Sequence, residues 1–224
     1  MSYGNINYGE FWGRRTLSNE LTENPEAVLG VLRREAAHAR KKRQHYEGYG
    51  YGAAALVYAP DEVAGKRLKV ISGANFKLKE GDYINRVCAE VAMIYAMNPE
   101  DKFLPIVVIE SPPLGELKKQ EGENKPTNSG WSCGPCRTFL SSHVSDKLIV
   151  ATFPGNAADP AEVLSLEQMI NYQRKEAAAK YPVGISKEGL YESLGVLLMQ
   201  EYTLLSPLPK RLPGVAPREL QTTN

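Results

Sequence analysis

Residues 131–140, WSCGPCRTFL, hold two of the three cysteines in a chain of 224 residues. Cys133 and Cys136 are spaced C-x-x-C, after a polar run rich in Gly, Pro and Lys and before a helical pattern. On the first turn of a helix both thiols can reach one ion, and the unpaired backbone N–H groups and the helix dipole there favour thiolate. The third cysteine, Cys88, opens a second apolar, helix-like segment, VCAEVAMIYAM, and Glu90 follows two residues on. Two such helices lying side by side, with their N-termini level, would gather three thiols and a carboxyl at one point. Three soft ligands with a fourth position open is the pattern of a catalytic zinc site, and a carboxylate beside it can relay protons. The pair alone could also be a redox dithiol, or half of a structural zinc knuckle with His143 as a further ligand. Redox use leaves Cys88 and Glu90 without a role.

The flanking segments alternate between strand and helix patterns. FLPIVVIE (103–110) and DKLIVATFP (146–154) are apolar runs of strand length. GAAALVYA (52–59) and KRLKVISGANF (66–76) read as a hairpin joined by PDEVAGK. Asn24 and Pro25 read as N-cap and first-turn proline of the helix PEAVLGVLRREAAHARKKRQHY, ended by Gly48, Gly50 and Gly52. A polar loop, KLKEGDY, leads to a helix from about Asn85 to Met97, stopped by Asn98-Pro99. A further helix runs from the cysteine pair to about His143. SLEQMINYQRKEAAAKY and KEGLYESLGVLLMQEY are helical by period and propensity. The order α-β-β-α-β-α-β-α-α predicts an α/β fold, a central mixed sheet with helices on both faces. The chain divides into an arm at 1–23, a core at 24–158, and a helical extension and tail at 159–224. The arm's aromatic residues Tyr3, Tyr8, Phe11 and Trp12 imply that it packs on something. The long polar loop at 111–131 is of a length that is usually functional or mobile.

Composition narrows the function classes. The chain is 42% hydrophobic and 24% charged, enough for a real core. A net charge of +1 does not indicate a polyanion-binding surface, and Arg40-Lys41-Lys42-Arg43 reads as a solvated helix face. No stretch is apolar enough to span a bilayer, and the N-terminus lacks a secretory pattern. An odd number of cysteines argues against a disulfide framework and fits a reducing, cytoplasmic setting.

Cys88-Ala89-Glu90 followed by Cys133-Gly134-Pro135-Cys136-Arg137 resembles the cytidine deaminase family in its three-cysteine branch. Tyr46–Ala54, Gly73-Ala74-Asn75 and Asp146–Phe153 are similar to further family segments, so the resemblance spans about residues 28–153. It implies a three-layer α/β/α cytidine deaminase-like fold. It also implies Zn²⁺ held by Cys88, Cys133 and Cys136, with Glu90 shuttling protons. Tyr49 would stack on the base, Asn75 would bind a sugar hydroxyl, and the backbone near Ala89 and Trp131 would hold the pyrimidine edge. The implied activity is hydrolytic removal of the exocyclic amine of a cytosine nucleoside, releasing ammonia, in a homodimer or homotetramer.

The chain also departs from the family. Lys77 stands where the cytidine enzymes carry an acidic ribose-binding residue. A cation cannot accept those hydrogen bonds but could meet a phosphate or carboxylate. Ser132 stands in place of the proline that precedes the cysteine pair. Val91 stands in place of an arginine that offsets thiolate charge, which leaves Arg137, Arg86 and the helix N-termini to do so. Blasticidin S-type deaminases share the three-cysteine core and depart at the sugar site too, so a modified cytosine nucleoside is included. Two other readings are a deaminase acting on a base within a polynucleotide and a non-catalytic, zinc-bound interaction protein.

Overall fold

The computed structural model describes residues 12–17, 24–41, 50–61, 65–77, 86–112, 132–144, 148–155, 160, 162–174 and 184–199. In chain order the elements are β1 (Trp12–Thr16), α1 (Pro25–Lys41), β2 (Gly52–Asp61), β3 (Gly65–Ala74), β4 (Phe76–Lys77) and β5 (Arg86–Val87). They continue with α2 (Ala89–Tyr95), β6 (Lys102–Ser111), α3 (Gly134–His143), β7 (Ile149–Pro154), β8 (Glu162–Ser165), α4 (Leu166–Arg174) and α5 (Lys187–Met199).

The local signals explain why the helices start where they do. Asn24 Oδ1 accepts a hydrogen bond from Ala27 N at 3.1 Å, so Asn24 caps α1 and Pro25 begins it. Ser165 and Gln168 form a reciprocal capping box at α4. Gln168 N donates to Ser165 Oγ at 3.1 Å, and Ser165 N to Gln168 Oε1 at 2.7 Å. Ser186 Oγ caps α5 by accepting from Gly189 N at 3.1 Å.

A six-stranded mixed sheet runs in the order β1-β3-β2-β6-β7-β8. Its pairs are antiparallel except β6 with β7, which are parallel and joined through α3. Alternate residues of each strand feed two separate cores. Ala54, Leu56, Val70, Ile106, Val108 and Phe153 pack with Val28, Leu32 and Ala36 of α1 and Leu190 and Leu194 of α5. On the opposite face Ala53, Ala55, Ile71, Val107, Ile109 and Val150 pack with Met93 of α2, Leu140 of α3 and Met169 of α4. The protein is therefore a mixed α/β structure with helices on both sheet faces. Small side chains in β2 and β3 let the helices approach closely. A Cβ on Gly52 would lie 1.9 Å from the Ala36 carbonyl oxygen of α1, and one on Gly73 would lie 2.2 Å from Met93 N of α2.

Residues 12–16, read from the sequence as part of an arm, form an edge strand along β3, with Trp12 opposite Gly73 and Thr16 opposite Lys69. Arg14 fastens this strand to the far end of α2. Its guanidinium grips both carboxylate oxygens of Asp101, one of them at 2.7 Å, and donates to the Ala96 carbonyl at 3.3 Å. Asp101 is buried and also accepts from Asn98 N at 2.8 Å. Among the described residues no helix is long and apolar enough to cross a membrane.

Candidate metal centre

The sequence reading starts the first cysteine-bearing helix near Asn85, whereas α2 begins only at Ala89. Arg86 and Val87 instead pair as β5 with β4, Lys77 opposite Arg86 and Phe76 opposite Val87. Cys88 is consequently the N-cap of α2, with extended backbone at φ −76° and ψ 157°. Cys133 holds the same place on α3, at φ −62° and ψ 163°, and Pro135 sits in the first turn. Neither cysteine caps its helix through its side chain. The thiols are left to face one another.

They converge closely. Cys88 Sγ lies 3.5 Å from Cys133 Sγ, and Cys133 Sγ lies 3.2 Å from Cys136 Sγ. All three sulfurs fall within 4.8 Å of one another, and among the described residues this is the group of acidic, histidine and cysteine side chains that could hold a metal. Three thiolates around one tetrahedral Zn²⁺ at roughly 2.3 Å would stand roughly 3.8 Å apart. The Cys88–Cys133 and Cys133–Cys136 separations would need to open by roughly 0.3 and 0.6 Å. The cysteines are free rather than disulfide-bonded. Cys136 is buried, whereas Cys88 and Cys133 are half-buried, which suits a centre reached from one side.

The position of α2 is set by Gly73. The missing side chain brings the Ala89 carbonyl, the Ala92 carbonyl carbon and Met93 N down onto β3. Gly73 opposes Ala53 of β2, and Ala53 opposes Ile109 of β6, so this floor is built from small and apolar groups.

Glu90 lies in the first turn of α2 and is 6% exposed. Glu90 acts electrostatically on the same cluster. Burial is the main cause that raises its proton affinity, and the charge of Cys133 adds to it. Its own backbone N–H, the Ser132 hydroxyl and the Cys136 thiol pull the other way. Two of the metal-free thiols, Cys88 and Cys136, likewise have a raised proton affinity. Cys88 is pushed up to about 12, first by the neighbouring Cys133 thiol and then by burial and the charge of Glu90, against the opposing pull of Cys136. Cys136 is raised by Cys133, Cys88 and burial together. Three thiols and a carboxyl packed this tightly cannot all ionise unless a cation joins them, which is what the donor set of a divalent soft-metal site requires. Burial lowers the proton affinity of Arg137, while the negative charges of Cys133 and Cys136 raise it. Arg137 is thus within electrostatic reach of both thiols.

The remaining sequence candidates divide. Ala89 is buried at the start of α2. Asn75 is 7% exposed, and its Oδ1 accepts from Tyr51 N at 2.9 Å while Asn75 N donates to Tyr51 O at 3.2 Å. This double link ties the end of β3 to the start of β2. Lys77 and Arg86 are brought opposite each other by backbone pairing, but their side chains lie outside the described residues. Tyr49, Trp131, the side chain of His143 and residues 113–131 lie outside them as well. The sequence reading did not give Gly73 its packing role, although a glycine late in a strand, ahead of a cysteine-bearing helix, was the available signal.

No protein-family model matches the chain, and no curated protein sequence matches it either.

Proposed function

We propose that the protein is a zinc-dependent hydrolytic deaminase on a three-layer α/β/α cytidine deaminase-like fold. Its substrate is a cytosine nucleoside or a modified relative, whose exocyclic amine is replaced by a carbonyl as ammonia leaves. The observation that carries this reading is the meeting of three thiols and one buried carboxyl at the N-termini of two helices. Cys88, Cys133 and Cys136 would hold the ion, which when bound supplies Lewis-acid activation of water. Glu90 relays the two protons of the attacking water, one to the ring nitrogen beside the reacting carbon and one to the amine nitrogen, so that a C–O bond forms and becomes the carbonyl, the C–N bond breaks and ammonia departs. The carboxyl's raised proton affinity suits both halves of that relay. Arg137 offsets part of the thiolate charge. Asn75 holds the start of β2 through Tyr51, and Tyr49, two residues earlier in the chain, is assigned to stacking on the base. Ala89 and Trp131 are assigned to the pyrimidine edge and Lys77 to an anionic substituent. A cytoplasmic homodimer or homotetramer belongs to the same reading.

The test is ammonia release by zinc-loaded protein from cytosine, cytidine, deoxycytidine, cytidine monophosphate and blasticidin S, with guanine and adenosine as controls. Release is expected from at least one cytosine compound. Glu90→Gln should reduce it by about 10²-fold or more while zinc content stays unchanged. Zinc-loaded protein that releases no ammonia, or a Glu90→Gln variant as active as the parent, would rule the proposal out.

A further inference from the structure

Ser132 sits immediately before the N-cap Cys133 and is 1% exposed. Among the described residues its Oγ has no partner in full hydrogen-bond geometry. The other hydroxyls of this segment behave differently. Thr138 Oγ1 donates to the Gly134 carbonyl at 3.3 Å, and Ser141 Oγ and Ser142 Oγ donate to the Thr138 carbonyl at 3.1 and 2.8 Å. Ser132 lies ahead of the helix, has no carbonyl one turn before it within α3, and does not occupy the cap position. Buried hydroxyls need hydrogen-bond partners, and the described residues leave acceptor capacity on this one unfilled. The Ser132 hydroxyl acts on the Glu90 carboxyl and favours that group's charged form. A hydroxyl offers one donor and two acceptor sites. With its hydrogen turned toward Glu90, both lone pairs remain for an N–H group brought in by a ligand.

We infer that Ser132 is a substrate-contacting residue: its hydroxyl accepts a hydrogen bond from the exocyclic amine of an amino-substituted ring bound beside Glu90. The assignment rests on the deaminase reading and adds to it a means of recognising the amine itself. The proline that the similar family carries at this position has no side-chain oxygen, so the contact is particular to this chain.

Ser132→Ala, zinc-loaded, is compared with the parent in four measurements. The first is kcat/KM for the panel compound from which the parent releases most ammonia. The others are inhibition by the matching pyrimidin-2-one that lacks the amine, zinc content, and the thermal midpoint. The expected result is a fall of about tenfold in kcat/KM, with inhibition by the amine-free compound and zinc content unchanged. The midpoint should move by less than about 2 °C, because the hydroxyl's unfilled acceptor sites contribute nothing to the fold. An unchanged kcat/KM overturns the assignment. So does a midpoint lowered by more than about 2 °C, or zinc lost in proportion to activity, since either shows a structural hydroxyl. If the parent itself releases no ammonia, the deaminase reading falls and takes this contact with it. If the parent is active and the variant equals it, only the contact falls.

Discussion

Gly73 is the position at which a single methyl group should separate fold from site. A Cβ there would stand 2.2 Å from Met93 N, 2.6 Å from the Ala92 carbonyl carbon and 2.8 Å from the Ala89 carbonyl oxygen. All three are backbone atoms of α2, so no change of rotamer can relieve the clash. To restore ordinary contact at 3.4 Å, helix and strand must part by roughly 1.2 Å. Overpacking of this kind costs about 1–3 kcal/mol. At roughly 2–4 °C per kcal/mol for a chain of this size, Gly73→Ala should lower the thermal midpoint by several degrees. The displacement matters more for the metal. Cys88 and Glu90 travel with α2, and metal–ligand distances are held to within about 0.2 Å, so zinc affinity should fall about tenfold or more. Thermal melts in chelator report the first effect, and competition against a chromophoric chelator reports the second. Gly30→Ala is the control. It lies inside α1 with its nearest potential contact, Arg34 Nη1, at 3.9 Å, and should stabilise by about 0.5–1 kcal/mol without touching zinc affinity. A Gly73→Ala protein that melts and binds zinc like the parent would refute the packing argument.

Two further outcomes follow from the electrostatics. In metal-free protein the Cys88 thiol is held up to about 12, against an ordinary value of 9.0. The fold therefore favours the protonated thiol, and its contribution is complete below pH 9.0 and is lost between there and about pH 12. Urea melts of chelated protein should show a decline over that range which is shallower in Cys88→Ala, and equal slopes for the two would contradict the shift. Arg14→Met leaves the buried Asp101 carboxylate without its guanidinium. Arg14 keeps some exposure, so the cost should be about 2 kcal/mol or more, reduced when Asp101→Asn is added. A loss below about 0.5 kcal/mol would show the pair to be a surface contact.

Much of this architecture was legible because its signals are local. The capping of α1 by Asn24, the β2–β3 hairpin, the apolar runs of β6 and β7 and the start of α3 at the cysteine pair all rest on neighbouring residues. The parts that escaped depend on distant partners. The run Trp12–Thr16 has no strand signature of its own and becomes a strand only by pairing with β3 and by the reach of Arg14 to Asp101. The two-residue strands β4 and β5 exist only as each other's partners, and their pairing moves the start of α2 from Asn85 to Ala89. The short strand β8 is hidden in front of a helix whose cap, Ser165, is clear in the sequence. At the site, the cysteines and Glu90 announced themselves by residue type and spacing. The closeness of α2 to the sheet did not, because it is set by the absence of a side chain at Gly73.

The most direct test of the central claim is the coordination of the metal, read by X-ray absorption at the zinc edge on protein expressed with zinc. Three thiols at the N-termini of α2 and α3 should give three sulfur neighbours at about 2.3 Å and one oxygen or nitrogen neighbour, with Cys88→Ala reducing the sulfur count by one. A closed set of four protein ligands, or protein that retains no metal while its three cysteines are reduced, would contradict an open three-thiolate centre.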